Sequence, residues 1–132
     1  YYTRFEAVAD EFFRVLAPGG SVYVCTNGPG KYLRDIVEQP NPESDYDPRR
    51  YGLRTFRNTL LGRREDLSIY TGARVMFPGR AAATLERAGF LDVRTGGEGT
   101  LSVSDDRSPT SFYRARYLGL SNVFELLGYK TG

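Results

Sequence analysis

Glu11-Phe12-Phe13-Arg14-Val15-Leu16-Ala17-Pro18-Gly19-Gly20-Ser21-Val22-Tyr23-Val24 is the stretch on which the fold turns. Its first half completes an apolar stripe of Phe5, Val8, Ala9, Phe12, Phe13 and Leu16 at spacings of three and four. That pattern predicts an amphipathic helix from Thr3 to Leu16, with Thr3 and Glu6 as a capping box. Pro18 cannot continue a helix, and Gly19-Gly20 allow a tight reversal. Ser21 to Thr26 is β-branched or apolar on both faces, as expected of a strand buried in a parallel sheet. Asn27-Gly28-Pro29-Gly30 then forms a turn at the strand's carboxyl end. Helix, tight turn and buried strand in this order predict an α/β fold.

Downstream, Lys31 to Val37 reads as a short helix and Gln39 to Pro48 as a loop rich in Pro, Asn and Asp. Arg49 to Leu61 reads as a second helix with Tyr51, Phe56, Leu60 and Leu61 partly buried, weakened by Gly52 and Gly62. Residues 31–78 are thus expected to form a mostly helical, lid-like insertion. Arg80 to Ala88 is a run of strong helix formers closed by Gly89, and Phe90 to Arg94 is the next strand. Gly96 to Pro109 reads as a loop with a short strand at Thr100 to Val103. Ser121 to Lys130 fits either a helical stripe with Tyr113 and Tyr117 or an alternating strand. Gly119 and Ser121-Asn122 favour the strand.

With 132 residues the chain is expected to be one domain, 1–132. It is 40% hydrophobic and 26% charged, which excludes wholesale disorder. A net charge of +2 is too small to point to nucleic acid or a membrane surface, and no apolar run approaches the roughly 20 residues that span a bilayer. The single cysteine, Cys25, excludes an internal disulfide and fits a cytoplasmic location. Histidine is absent, which removes Ser-His-Asp and Cys-His nucleophilic machinery and HExxH zinc chemistry. Asp105-Asp106 sits in a polar loop without a third ligand, so no metal site is expected.

Glu11-x-x-Arg14-Val15-Leu16 leading into Pro18-Gly19-Gly20 and a strand resembles the approach to the fifth strand of class I, Rossmann-like S-adenosylmethionine-dependent methyltransferases. Leu85-Glu86-Arg87-Ala88-Gly89-Phe90-Leu91-Asp92-Val93 is similar to that family's last helix and sixth strand, and Asn122 to Lys130 to its antiparallel seventh. The resemblance implies the carboxyl-terminal half of the sheet, strands five to seven with the last one antiparallel. It implies methyl transfer from S-adenosylmethionine to a small-molecule acceptor. No Gly-x-Gly-x-Gly follows a strand before Glu11, so the cofactor half, with its glycine loop, is expected to be missing and this part alone inactive. Ser21 to Thr26 would then lack one flanking neighbour, and the uncovered sheet edge would favour a homodimer. A non-catalytic association module is the alternative, and another α/β enzyme of nucleotide-sugar or nicotinamide chemistry is a third.

The resemblance places Tyr1 and Tyr2 near the methyl donor, where an aromatic ring can meet the sulfonium. Asn27, at the strand's carboxyl end, and the aromatic Tyr32 and Tyr51 are candidates for substrate contact, although tyrosines in such a run, Tyr1 and Tyr2 included, are more often amphipathic rims of the core. Gly28-Pro29-Gly30-Lys31 does not meet the phosphate-loop spacing, because Tyr32 follows the lysine. Arg54 and Arg57 share a helical face with Arg50 and belong to a cluster of six arginines between 49 and 64 that contains no acid. Such a cluster is ordinarily a solvated face, here balanced by nearby acids. As a site it would hold a substrate carboxylate or phosphate. Glu11 with Arg14 reads as a local structural pair and Cys25 as strand packing. No catalytic residue stands out.

Overall fold

The structure is a computed structural model that describes residues 4–62, 73–101 and 116–132. Helix α1, Phe5–Val15, buries Phe5 and Ala9 and half-buries Phe12 and Phe13, following the expected stripe. Arg4 occupies its N-cap position without a side-chain bond, and Thr3, the expected cap, lies outside the described residues. Arg14 donates to both carboxylate oxygens of Glu11 on the exposed face, the expected local pair. Strand β1, Ser21–Asn27, follows the Pro18-Gly19-Gly20 turn.

Helices α2, Pro29–Glu38, and α3, Pro48–Leu61, make up most of the described insertion. Asp47 caps α3, its carboxylate accepting the amides of Arg49 and Arg50. Gly52 is what lets the two helices close together: a Cβ there would come within 2.8 Å of the Tyr32 carbonyl oxygen and 2.9 Å of Ile36 Cγ1. The glycine that weakens the helix in sequence is therefore its packing surface. The expected partial burial of Leu60 and Leu61 is not found; both are exposed, Leu60 at 84%. The buried face of α3 is polar instead, carrying Thr55 and Asn58.

Helix α4, Pro78–Ala88, ends at Gly89 with φ +112, and strand β2, Leu91–Gly97, follows. A small hairpin of β3, Arg116–Tyr117, and β4, Leu120–Ser121, precedes the last strand β5, Val123–Tyr129. Residues 118 and 119 both have positive φ, as a two-residue hairpin turn requires. The expected short strand at Thr100 to Val103 begins as a turn, and residues 102 and 103 lie outside the described set, as does Asp105-Asp106.

Strands β1, β5 and β2 form one sheet in that order, with β5 antiparallel to both neighbours and Leu126 opposite Val24 on one side and Thr95 on the other. β1 and β2 therefore run parallel to each other without touching. The last strand is central and buried from Val123 to Gly128. β1 is the sheet edge among the described residues, in line with the expected missing neighbour. The expectation of a parallel partner is corrected, since its one partner there is antiparallel, and Tyr23 and Cys25 are exposed. An all-apolar run shows affinity for a sheet but not the position it takes there. On one face α1 and α4 enclose the core of Phe5, Ala9, Val22, Leu85, Phe90, Phe124 and Leu126. Phe13 meets Phe90 edge-on at 5.1 Å. No helix of the described residues is long and apolar enough to cross a membrane.

Candidate functional site

A cavity of about 1040 Å³ runs along β1 from Tyr23 to Asn27. Its other walls come from the start of α1, from α2 and α3, from the extended segment 73–77 and from the start of α4. This is the carboxyl end of a strand, where α/β sheets bind ligands because loops and helix ends diverge there.

Segment 73–77 is attached to α3 by buried and half-buried polar groups. Thr55 Oγ1 donates to the Tyr51 carbonyl and Thr59 Oγ1 to the Thr55 carbonyl. The Val75 amide then donates to Thr59 Oγ1 at 2.8 Å, and Asn58 Nδ2 donates to the Ala73 carbonyl at 3.2 Å. The polar stripe of α3 thus builds one cavity wall.

Lys31 lies between aromatic groups at the α2 side of the cavity. Its Nζ is 2.6 Å from Asp35 Oδ2 and 5.1 and 5.5 Å from the ring centres of Tyr32 and Tyr51. Burial works to lower the Lys31 ammonium, but the hydrogen bond and charge of Asp35 outweigh it and hold the group above its ordinary value. Lys31 is therefore held as an ammonium at neutral pH, the form that lacks the lone pair a nucleophile needs.

On the face of the sheet away from α1, Tyr23, Cys25 and Glu125 are neighbours. Glu125, on the central strand, is only 2% exposed, and its carboxylate accepts the backbone amides of Gly99 and Leu101. Desolvation, then the hydrogen bond and charge of Glu125, push the Tyr23 phenol far above its ordinary value. The Cys25 thiol is also raised, first by burial and then by the charges of Glu125 and Glu98, against a weaker opposing hydrogen bond from Tyr23. A raised thiol carries less thiolate at neutral pH, the opposite of what a nucleophilic cysteine needs. Although Cys25 is exposed, and not buried as expected, iodoacetamide is expected to alkylate it several-fold more slowly at pH 8 than in the urea-unfolded chain. The rate should rise with pH through a midpoint above that of the unfolded thiol, and Glu98→Gln should lower that midpoint. A midpoint at or below the unfolded value would contradict this assignment.

Of the residues singled out in the sequence, Asn27, Tyr32 and Tyr51 line the cavity together. Arg54 and Arg57 do not: the cavity side of α3 presents Tyr51 and Thr59, and the arginines fall off that face. Tyr1 and Tyr2 lie outside the described residues. Arg74 and Arg80 line the cavity without having been expected there. The one signal for Arg74 was a lone charge inside the apolar run Ala73, Val75, Met76 and Phe77. Among the described residues no group of three or more His, Cys, Asp or Glu could hold a metal ion. Comparison of the chain with protein-family models, with curated proteins and with solved structures finds no match.

Proposed function

We propose that this chain forms the carboxyl-terminal, substrate-side part of a Rossmann-like S-adenosylmethionine-dependent methyltransferase acting on a small molecule. The observation that carries the proposal is the cavity at the carboxyl end of β1, which gathers Asn27, Tyr32 and Tyr51 from β1, α2 and α3. The order helix, Pro-Gly-Gly, strand, helical insertion, helix, strand and antiparallel last strand supports it.

The described residues do not fit the nucleotide of the methyl donor. Gly28 and Gly30, the glycines at the end of β1, leave no cradle: a Cβ on either would overlap the carbonyl oxygen of Ser121 or Leu120. That space belongs to the β4 backbone, so the donor would be held by residues outside the described set. What these residues can do is hold an acceptor, with Asn27 offering its amide and the tyrosines offering ring faces and hydroxyls.

Calorimetric titration with S-adenosylhomocysteine tests the proposal. The 132-residue chain is expected to show no saturable binding, and the protein as it occurs in its cell to bind one equivalent. Failure of the latter would overturn the methyltransferase reading. Tight binding by the 132 residues would overturn the placement of the donor elsewhere. The edge position of β1 among the described residues favours one further reading, an association module that pairs two copies through that edge. A monomeric mass at micromolar concentration would remove it.

A further inference from the structure

Arg74 stands between two anchored neighbours, since Ala73 is held by Asn58 and Val75 by Thr59. Its side chain lines the cavity, and its Nε is buried with no acceptor among the described residues. A guanidinium N–H removed from water without an acceptor is costly, and folded proteins seldom leave one so. Arg80 lines the same cavity from the first turn of α4, which holds no acidic residue and has no side-chain cap. That end of the cavity is therefore electropositive. Tyr32, Tyr51, Met76 and Phe77 supply apolar and aromatic lining.

We propose that the cavity binds a small carboxylic acid with an apolar or aromatic body, its carboxylate gripped side-on by the Nε and Nη of Arg74 and supported by Arg80. A guanidinium presents Nε–H and one Nη–H as parallel donors, spaced to meet the two oxygens of a carboxylate. The unpartnered atom is half of that fork. Glu6 and Glu98 also line the cavity, so a singly charged carboxylate is favoured over a doubly charged phosphate. The proposal rests on the cavity being the acceptor site and narrows the acceptor to an acid.

The test follows the side-chain Nε–H resonance of Arg74 in the ¹⁵N-labelled protein during titration with benzoate, benzamide and inorganic phosphate. Benzoate should shift that resonance downfield and saturably, while benzamide, which has the same ring without the charge, should not. Arg74→Lys keeps the charge but loses the fork, and should weaken benzoate binding about tenfold or more. Three results would overturn the proposal: an unmoved Arg74 resonance, equal binding by the lysine variant, or phosphate binding tighter than benzoate. The wild-type resonance decides the matter even where the variant folds poorly. The readout is independent of the methyl donor. Benzoate binding without S-adenosylhomocysteine binding by the cellular protein would leave the acid site standing and remove the methyltransferase, and the converse would remove only the acid site.

Discussion

Glu125→Ala is expected to lower the unfolding free energy by about 2–4 kcal/mol. Glu125 sits at the middle of the central strand, and its carboxylate binds the Gly99 and Leu101 amides, which tie the turn after β2 to β5. Two opposing effects set the size. Removing the carboxylate forfeits charge-assisted bonds worth about 1.5–3 kcal/mol each, but it also relieves the cost of keeping a charge out of water. The first effect wins, because alanine leaves a void on the central strand and two amides without their acceptor. Glu125→Gln should lose less, since one carbonyl oxygen remains while the new NH₂ group faces the second amide. Urea unfolding would give the free energies, and amide exchange at Gly99 and Leu101 would locate the loss. The Tyr23 phenol supplies an independent readout. Removing Glu125 takes away a hydrogen bond and a negative charge that raise it, so it should titrate at lower pH in the alanine variant. Desolvation, the larger cause, would still keep it elevated. An unchanged urea midpoint with unchanged phenol titration would contradict the role given to Glu125.

Glu125 also shows what could and could not be read from the sequence. The alternation around it fitted a strand no better than a helical stripe, and it was Gly119 and Ser121-Asn122, which interrupt a long helix, that pointed to the strand found at Val123–Tyr129. The helices α1 and α4 and the strand after Gly89 were legible for the same reason: stripes, caps and breakers act over one or two turns of chain. The central place of the last strand, between β1 and β2, was not. Ser21 to Thr26 has the composition of an interior strand, yet the interior belongs to β5, which carries the one buried carboxylate of the sheet. Nothing local distinguishes these cases, since the amides that satisfy Glu125 come from more than 20 residues away. The site divides in the same way. Asn27 was legible because a strand's carboxyl end is a general ligand position, and Tyr32 and Tyr51 because aromatic rings at that end are generic ligand contacts. Arg54 and Arg57 lie off the cavity because α3 turns its polar stripe toward segment 73–77, an orientation that depends on contacts 15 and 16 residues apart. The hairpin at 116–121 was hidden because Leu118 is a poor residue for positive φ.

Lys130→Met is the second substitution with a large expected effect, about 2 kcal/mol of lost stability. The Lys130 ammonium donates to the carbonyls of Phe13 at 2.6 Å and Leu16 at 2.8 Å, the last turn of α1, and lies 4.7 Å from the Phe13 ring centre. Helix-end carbonyls have no intrahelical partner, and a cation there also meets the negative end of the helix dipole. The backbone of the same residue completes the pairing beside the Pro18-Gly19-Gly20 turn, its amide donating to Gly20 and its carbonyl accepting from Gly19. One residue near the chain's end therefore closes the helix–turn–strand unit from which the fold was read. Methionine keeps the length and apolar stem but offers no donor, so the backbone bonds should survive while the side-chain bonds are lost. Lys130→Arg, with charge and donors retained, should recover a good part of the stability. Amide exchange should quicken in the last turn of α1 in the methionine variant and leave the middle of β5 protected. If methionine and lysine gave the same urea midpoint, the end of α1 would be held by Pro18-Gly19-Gly20 and the Phe13–Phe90 contact alone. The resemblance carried by that turn would then reflect local backbone chemistry without the tertiary clasp described here.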